Sequence, residues 1–276
     1  MASIFDLGSC SPDSITAYLA ATRAVHRVAG QTNPTEDPLV ADARVGFRRE
    51  HTDAVGALPD ARRPLPPEAV EQIVQLGIGA SDAATRRECA GITLACLMFN
   101  RPGAAANVRA RDVHLTATGF QVQVPIYKMR VLKKGRRLAF SIPTAACGWG
   151  ADPPMRLLRS VWVEHYRSGR AASEHLFAPP GRGALQPLPP QAVTAWMRRL
   201  LPFTTRTPPL GVKWTGHSPR AGAASSAYAV GLPPPLIRQM MGLSSVDTAY
   251  KHYINAQWPS TPAAWALFAR YFPLRV

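Results

Sequence analysis

The chain has 276 residues, 46% of them hydrophobic, which supplies material for one large core or two smaller ones and excludes a disordered polymer. Lys and Arg number 32 against 17 Asp and Glu, a formal charge of +15, so a polyanionic partner such as nucleic acid is favoured, because each neutralised phosphate releases counterions. No apolar run reaches the roughly 18 residues of a membrane span. The cysteines Cys10, Cys89, Cys96 and Cys147 show neither CxxC nor paired His spacing, which argues against a zinc site or a disulfide framework and for an intracellular protein.

In chain order, Ser14 to Ala29 reads as an amphipathic helix with Ile15, Tyr18, Leu19, Thr22, Val25 and His26 near one face. Ser11-Pro12-Asp13 starts it, and Gly30 with Asn33-Pro34 closes it. Asp37-Pro38 opens a second helix that ends in the basic pair Arg48-Arg49. The proline-rich, basic stretch from Ala57 to Pro67 has no periodicity and marks the best domain boundary. Beyond it, Pro67 to Leu76 and the apolar stretch Ala83 to Asn100 read as helices, the second a core helix. Phe120 to Tyr127 alternates like a half-buried strand, and Leu138 to Ile142 is its hairpin partner, with Lys133, Lys134, Arg136 and Arg137 at the tip. Leu157 to Tyr166, Pro190 to Leu201 and the aromatic stretch Pro262 to Phe272 read as further helices.

The segment from His217 to Ile254 carries the chemistry. His217 and Arg220 stand one helical turn apart, and Tyr250 and Tyr253 follow about thirty residues later. Phosphodiester transfer without a metal needs such groups: an arginine to neutralise the phosphate with paired donors, a histidine to support it, and a phenol to attack. A phenol ordinarily titrates near 10, so cationic neighbours must favour its phenolate. The energy of the broken bond stays in the covalent link, so neither a metal nor a nucleotide cofactor is implied.

From Arg101 onward the chain resembles the tyrosine recombinases, which carry a first arginine with an aspartate eleven positions on, as Arg101 and Asp112 stand here. The resemblance also covers Lys128 at the end of QVQVPIYK, the HxxR of His217 to Arg220, and SSVDTAYKHYI as the nucleophile segment. The N-terminal part, together with AYKHYI, is similar to the recombinases of DIRS-like retrotransposons. It implies a mainly α fold with a small antiparallel β-sheet (α+β), arranged as a two-domain clamp on double-stranded DNA: residues 1–58 a helical DNA-binding domain, 59–66 a linker, 67–276 the catalytic domain. Arg101, Lys128, His217, Arg220 and Tyr253 would be catalytic, with Lys128 the general acid. Tyr250 is the alternative nucleophile and Lys133 the alternative lysine. Arg48, Arg49, Arg62, Arg63, Lys133, Lys134, Arg136 and Arg137 would meet the DNA backbone. A tetramer on two DNA sites, joined through the C-terminal helix, and a nuclear location in a eukaryotic host also follow from the resemblance.

Two positions depart from the family pattern. Leu243, after Gly242, stands where a His or Trp usually donates to the phosphate, and leucine has no donor; Trp258 is a candidate replacement. Ala104 stands where a glutamate often follows the first arginine by three. A DNA-binding relative without catalysis, and an enzyme resembling type IB topoisomerases, are the competing readings.

Overall fold

The computed structural model describes residues 12–55, 64–125, 137–145, 151–189, 191–205 and 214–272. The chain divides into two units, Met1–Ala61 and Arg62–Val276. The first contains α1 (Pro12–Val28) and α2 (Pro38–Val55). Between them Asn33 accepts the Thr35 N–H at 3.1 Å, and the Asp37 carboxylate accepts the Leu39 N–H at 2.9 Å, so each turn has a side-chain cap. The apolar face expected of α1 is only partly covered. Ile15 is buried, but Tyr18 and Val25 are exposed.

The second unit is built around α4 (Ala83–Leu97). Asp82 caps it by accepting the Thr85 N–H at 2.8 Å, and every residue from Cys89 to Leu97 is buried. A helix apolar all round needs neighbours on every side, and α3 (Pro67–Gly79), α6 (Pro153–Arg167) and α7 (Ala192–Leu200) pack against it. Further on come α8 (Ser218–Ala229), α9 (Pro234–Met241), α10 (Val246–His252) and α11 (Pro262–Phe268). Between α4 and α6 lie the short helix α5 (Pro102–Ala106) and a three-stranded antiparallel sheet in the order β1 (Val113–Thr116), β2 (Gly119–Pro125), β3 (Arg137–Pro143).

The mainly α fold with one small antiparallel sheet is as the sequence predicts. Phe120, Val122 and Val124 of β2 point into the core while Gln121 and Gln123 face out. The hairpin pairs Val122 with Phe140 and Val124 with Leu138. β1, paired to β2 with Val113 opposite Val122, was not foreseen; four residues are too few to show an alternation.

α8 is made almost wholly of small residues, and Ser218 to Ala227 are all buried. This lets the chain at Leu65 cross it in contact: the Leu65 N–H donates to the Ser218 carbonyl at 2.9 Å. A Cβ on Gly222 would stand 2.1 Å from the Leu65 carbonyl oxygen and 2.8 Å from its nitrogen. Gly222→Ala is therefore expected to destabilise the unit by about 1–3 kcal/mol, since backbone on both sides must move. Urea denaturation with an unchanged slope would check it.

The C-terminal segment docks on its own chain. Ala264, Leu267 and Phe268 of α11 are buried against α3 and α8, the Phe268 ring meets Phe99 edge-on at 5.4 Å, and the Tyr271 hydroxyl donates to the Leu97 carbonyl. The predicted helix to Phe272 ends at Phe268 and continues as a single 3₁₀ turn, Ala269–Tyr271. In that turn Arg270 forms a buried, two-point pair with Asp152 at 2.8 and 3.2 Å. The remaining valences of the pair are met by the Ala145 N–H and by the Ala266 and Leu267 carbonyls, as a buried ion pair requires. Among the described residues no helix is long and apolar enough to cross a membrane.

Candidate active site

The core helix α4 runs out earlier than its apolar pattern suggests. It ends at Leu97, and Phe99 takes a left-handed backbone, φ 52°, rare for a non-glycine residue. That turn, followed by Pro102 at the start of α5, sets Arg101 in an extended conformation as the N-cap of α5 with its side chain exposed. Asn100 fixes it from behind by accepting the Arg101 N–H at 2.8 Å.

The far end of α5 is held by the loop between α6 and α7. Asn107 donates to the carbonyls of Gly103 and Leu188 and accepts the Leu188 N–H at 2.6 Å. The ring Nδ1 of His175 lies 3.0 Å from the Asn107 carbonyl oxygen, and His165 sits 3.0 Å from the Ala171 carbonyl oxygen. Burial holds both imidazoles below their ordinary value of 6.5. The unfolded chain therefore binds protons first as pH falls through about 6.5, so this contribution to stability is present above 6.5 and lost below it. The melting temperature is expected to fall between pH 7.5 and 5.5, and the fall to be smaller in His175→Gln.

Arg220 projects from the first turn of α8 and is only 1% exposed. Its Nη1 donates to the Phe99 carbonyl at 2.7 Å and its Nη2 to the Met241 carbonyl at 2.9 Å. The turn leading to Arg101 and the end of α9 are thus fastened to one guanidinium. Its third neighbour is Tyr253, whose ring centroid lies 4.8 Å from the guanidinium carbon, a cation–π arrangement. His217, half-buried, is the N-cap of α8 and donates its N–H to Thr215 Oγ1 at 3.3 Å.

The two tyrosines have different surroundings. Tyr253 is the half-buried residue directly after α10, with φ −137°, so the segment expected as a nucleophile helix stops one residue short of it. Tyr250 lies on α10, 42% exposed, with its ring edge-on to Tyr228 at 5.7 Å. Desolvation and a hydrogen bond with Tyr228 push the Tyr250 phenol upward from 10, away from what a nucleophile at neutral pH needs.

Gly242 ends α9 in a left-handed conformation, φ 61°, a routine use of glycine. Leu243 packs partly buried on the core and its N–H donates to the Arg238 carbonyl. Trp258 does not present a ready replacement donor, since its indole N–H is given to Ser226 Oγ on α8 at 3.0 Å. Asp112 is buried at the entrance to β1. Lys128, Lys133, Lys134, Arg136, Arg62 and Arg63 lie outside the described residues; Arg48 and Arg49 fall on α2 and Arg137 at the start of β3. Among the described residues no three His, Cys, Asp or Glu side chains group as a metal site. The sequence reading missed Phe99, whose carbonyl anchors Arg220, and the adjacent Ser225 and Ser226, which no spacing rule marks.

No protein-family model and no curated protein sequence matches the chain. Solved structures do. XerA recombinase superposes over 96% of this chain and 85% of its own, with a TM-score of 0.52 at 16% identity. The Tn1549 transposon integrase, in complex with circular intermediate DNA, covers 91% of this chain and 77% of its own, at 0.52 and 13%. The fold is that of the tyrosine recombinases. XerH site-specific recombinase bound to its difH substrate matches over 68% of this chain, at 0.50 and 17%, but the match spans only 49% of XerH. At such identities the likeness to recombinases establishes the fold, and chemistry has to be argued from the residues.

Proposed function

We propose that the chain is a site-specific DNA recombinase that cuts and rejoins double-stranded DNA through a phosphotyrosine. One observation carries the reading: the Arg220 guanidinium, with the Tyr253 ring over it, is bonded to the Phe99 carbonyl, two residues before Arg101 in the chain. A permanently charged guanidinium against the Tyr253 ring, and a second arginine exposed on the turn that guanidinium fastens, suit an anionic phosphate that gains charge on its oxygens in the transition state.

In this reading Tyr253 gives up its phenol proton, with His217 as acceptor, and its oxygen attacks the phosphorus; the bond to the 5′-oxygen breaks, and that oxygen takes a proton from Lys128. The DNA keeps a 3′-phosphotyrosine link until a 5′-hydroxyl attacks it and releases Tyr253. Arg220 is buried with its Nη groups on two carbonyls and the Tyr253 ring over it, so in this reading phosphate binding requires that contact to open. Mobile-element integration or excision, as in DIRS-like elements, is the role that the N-terminal resemblance supports. A tetramer joined by the C-terminal helix would require α11 to leave the seat it occupies on α3 and α8. Leu243 favours a second reading, a DNA-binding relative with little or no cleavage, because it supplies no side-chain donor.

Trapping on nicked duplex DNA from a broad sequence pool separates the two. The recombinase leaves a covalent DNA adduct that maps to Tyr253; salt-sensitive binding with no adduct would favour the weakened relative.

A further inference from the structure

We propose that Ser225 is a positioning residue that fixes the Tyr253 backbone relative to Arg220; the proposal rests on the reading of Tyr253 as nucleophile. Tyr253 stands beyond the last turn of α10, so helical geometry does not set where its ring points. Its N–H still donates to the Ala249 carbonyl at 2.9 Å. Its carbonyl, however, accepts the Ser225 hydroxyl at 3.0 Å, and the same Ser225 oxygen accepts the Asn255 N–H at 2.9 Å. One fully buried hydroxyl thus grips the chain at Tyr253 and again two residues on.

Ser225 and Arg220 are five residues apart on the same helix, and that helix is buried from Ser218 to Ala227. The separation of guanidinium and phenol is therefore set by a rigid element rather than by the loop after α10. A mid-helix serine ordinarily turns its hydroxyl to its own helix or to water; here the bond leaves the helix. Alanine would be the better helix former among the small residues around it, so the hydroxyl's contribution lies in the tether. The neighbouring Ser226 instead accepts the side-chain indole N–H of Trp258, a contact that falls five residues beyond Tyr253 and does not grip its backbone.

The test is single-turnover cleavage of nicked DNA by the full chain as wild type, Ser225→Ala and Ser226→Ala, with amide hydrogen exchange on each. Loss of the tether is expected to slow cleavage in Ser225→Ala by roughly ten- to a hundredfold, the scale of a displaced reacting group. DNA affinity should stay within about twofold and the pH profile should keep its shape, because Ser225 reaches only backbone and no titrating group. Exchange of the Asn255 amide should quicken in Ser225→Ala and not in Ser226→Ala. Ser225→Cys fills the same space with a weaker donor; it should fall between, and it carries the test if the alanine variant does not fold. Ser225→Ala cleavage as fast as wild type, or Asn255 exchange unchanged, overturns the proposal. If the wild type itself makes no adduct, the recombinase reading fails instead, and the Asn255 exchange still decides whether the tether exists.

Discussion

Arg220→Ala is expected to cost about 3–5 kcal/mol of folding stability in addition to abolishing DNA cleavage. The guanidinium lies in the interior, where its Nη1 and Nη2 meet the carbonyls of Phe99 and Met241. Removing it leaves two buried acceptors without these donors, each worth about 1–3 kcal/mol, together with a large void beneath the Tyr253 ring. Arg220→Lys keeps the charge but not the planar fork that spans two carbonyls, so it should recover less than half of the loss. The check is a urea midpoint at constant slope, read beside the trapping assay. An alanine variant as stable as the wild type but unable to cleave would mean that the carbonyl contacts do not support the fold and that Arg220 serves the phosphate alone.

The second large effect concerns which phenol attacks. Tyr253→Phe removes only an oxygen and leaves the ring over Arg220, so its stability should stay within about 1 kcal/mol of wild type. Its adduct should nevertheless vanish, a loss on the order of 10⁴-fold or more, because no other atom of that side chain can form the ester. Tyr250→Phe should keep the adduct on Tyr253, since Tyr250 packs against Tyr228 and its phenol is shifted upward. Peptide mapping distinguishes them. An adduct that survives in Tyr253→Phe and is lost in Tyr250→Phe would move the nucleophile to α10 and leave Tyr253 as a cover for Arg220.

The helices and the hairpin were legible in the sequence because their signals are local. Proline at helix starts and the alternation from Phe120 to Val124 each act within a few residues. The end of α4 was misjudged for the same reason. Met98 and Phe99 continue the apolar run, and only the structure shows Phe99 turned left-handed, its carbonyl bound by Arg220 and its ring against Phe268 and Tyr271.

The sequence by itself determined the basic charge, the mainly α fold with a small sheet, and the order Arg101, His217, Arg220, Tyr253. Composition and periodicity are properties of neighbours along the chain, and they survive without coordinates. The tertiary structure alone decided that Arg220 is bound to the backbone beside Arg101, that Tyr253 rather than Tyr250 lies on it, and that α11 is seated on its own chain. Those are meetings between groups far apart in the chain, as Arg220 with Met241, 21 residues away, and Tyr271 with Leu97, 174 residues away. No spacing rule reaches so far, because packing in three dimensions, and not distance along the chain, sets which groups share a low-dielectric site.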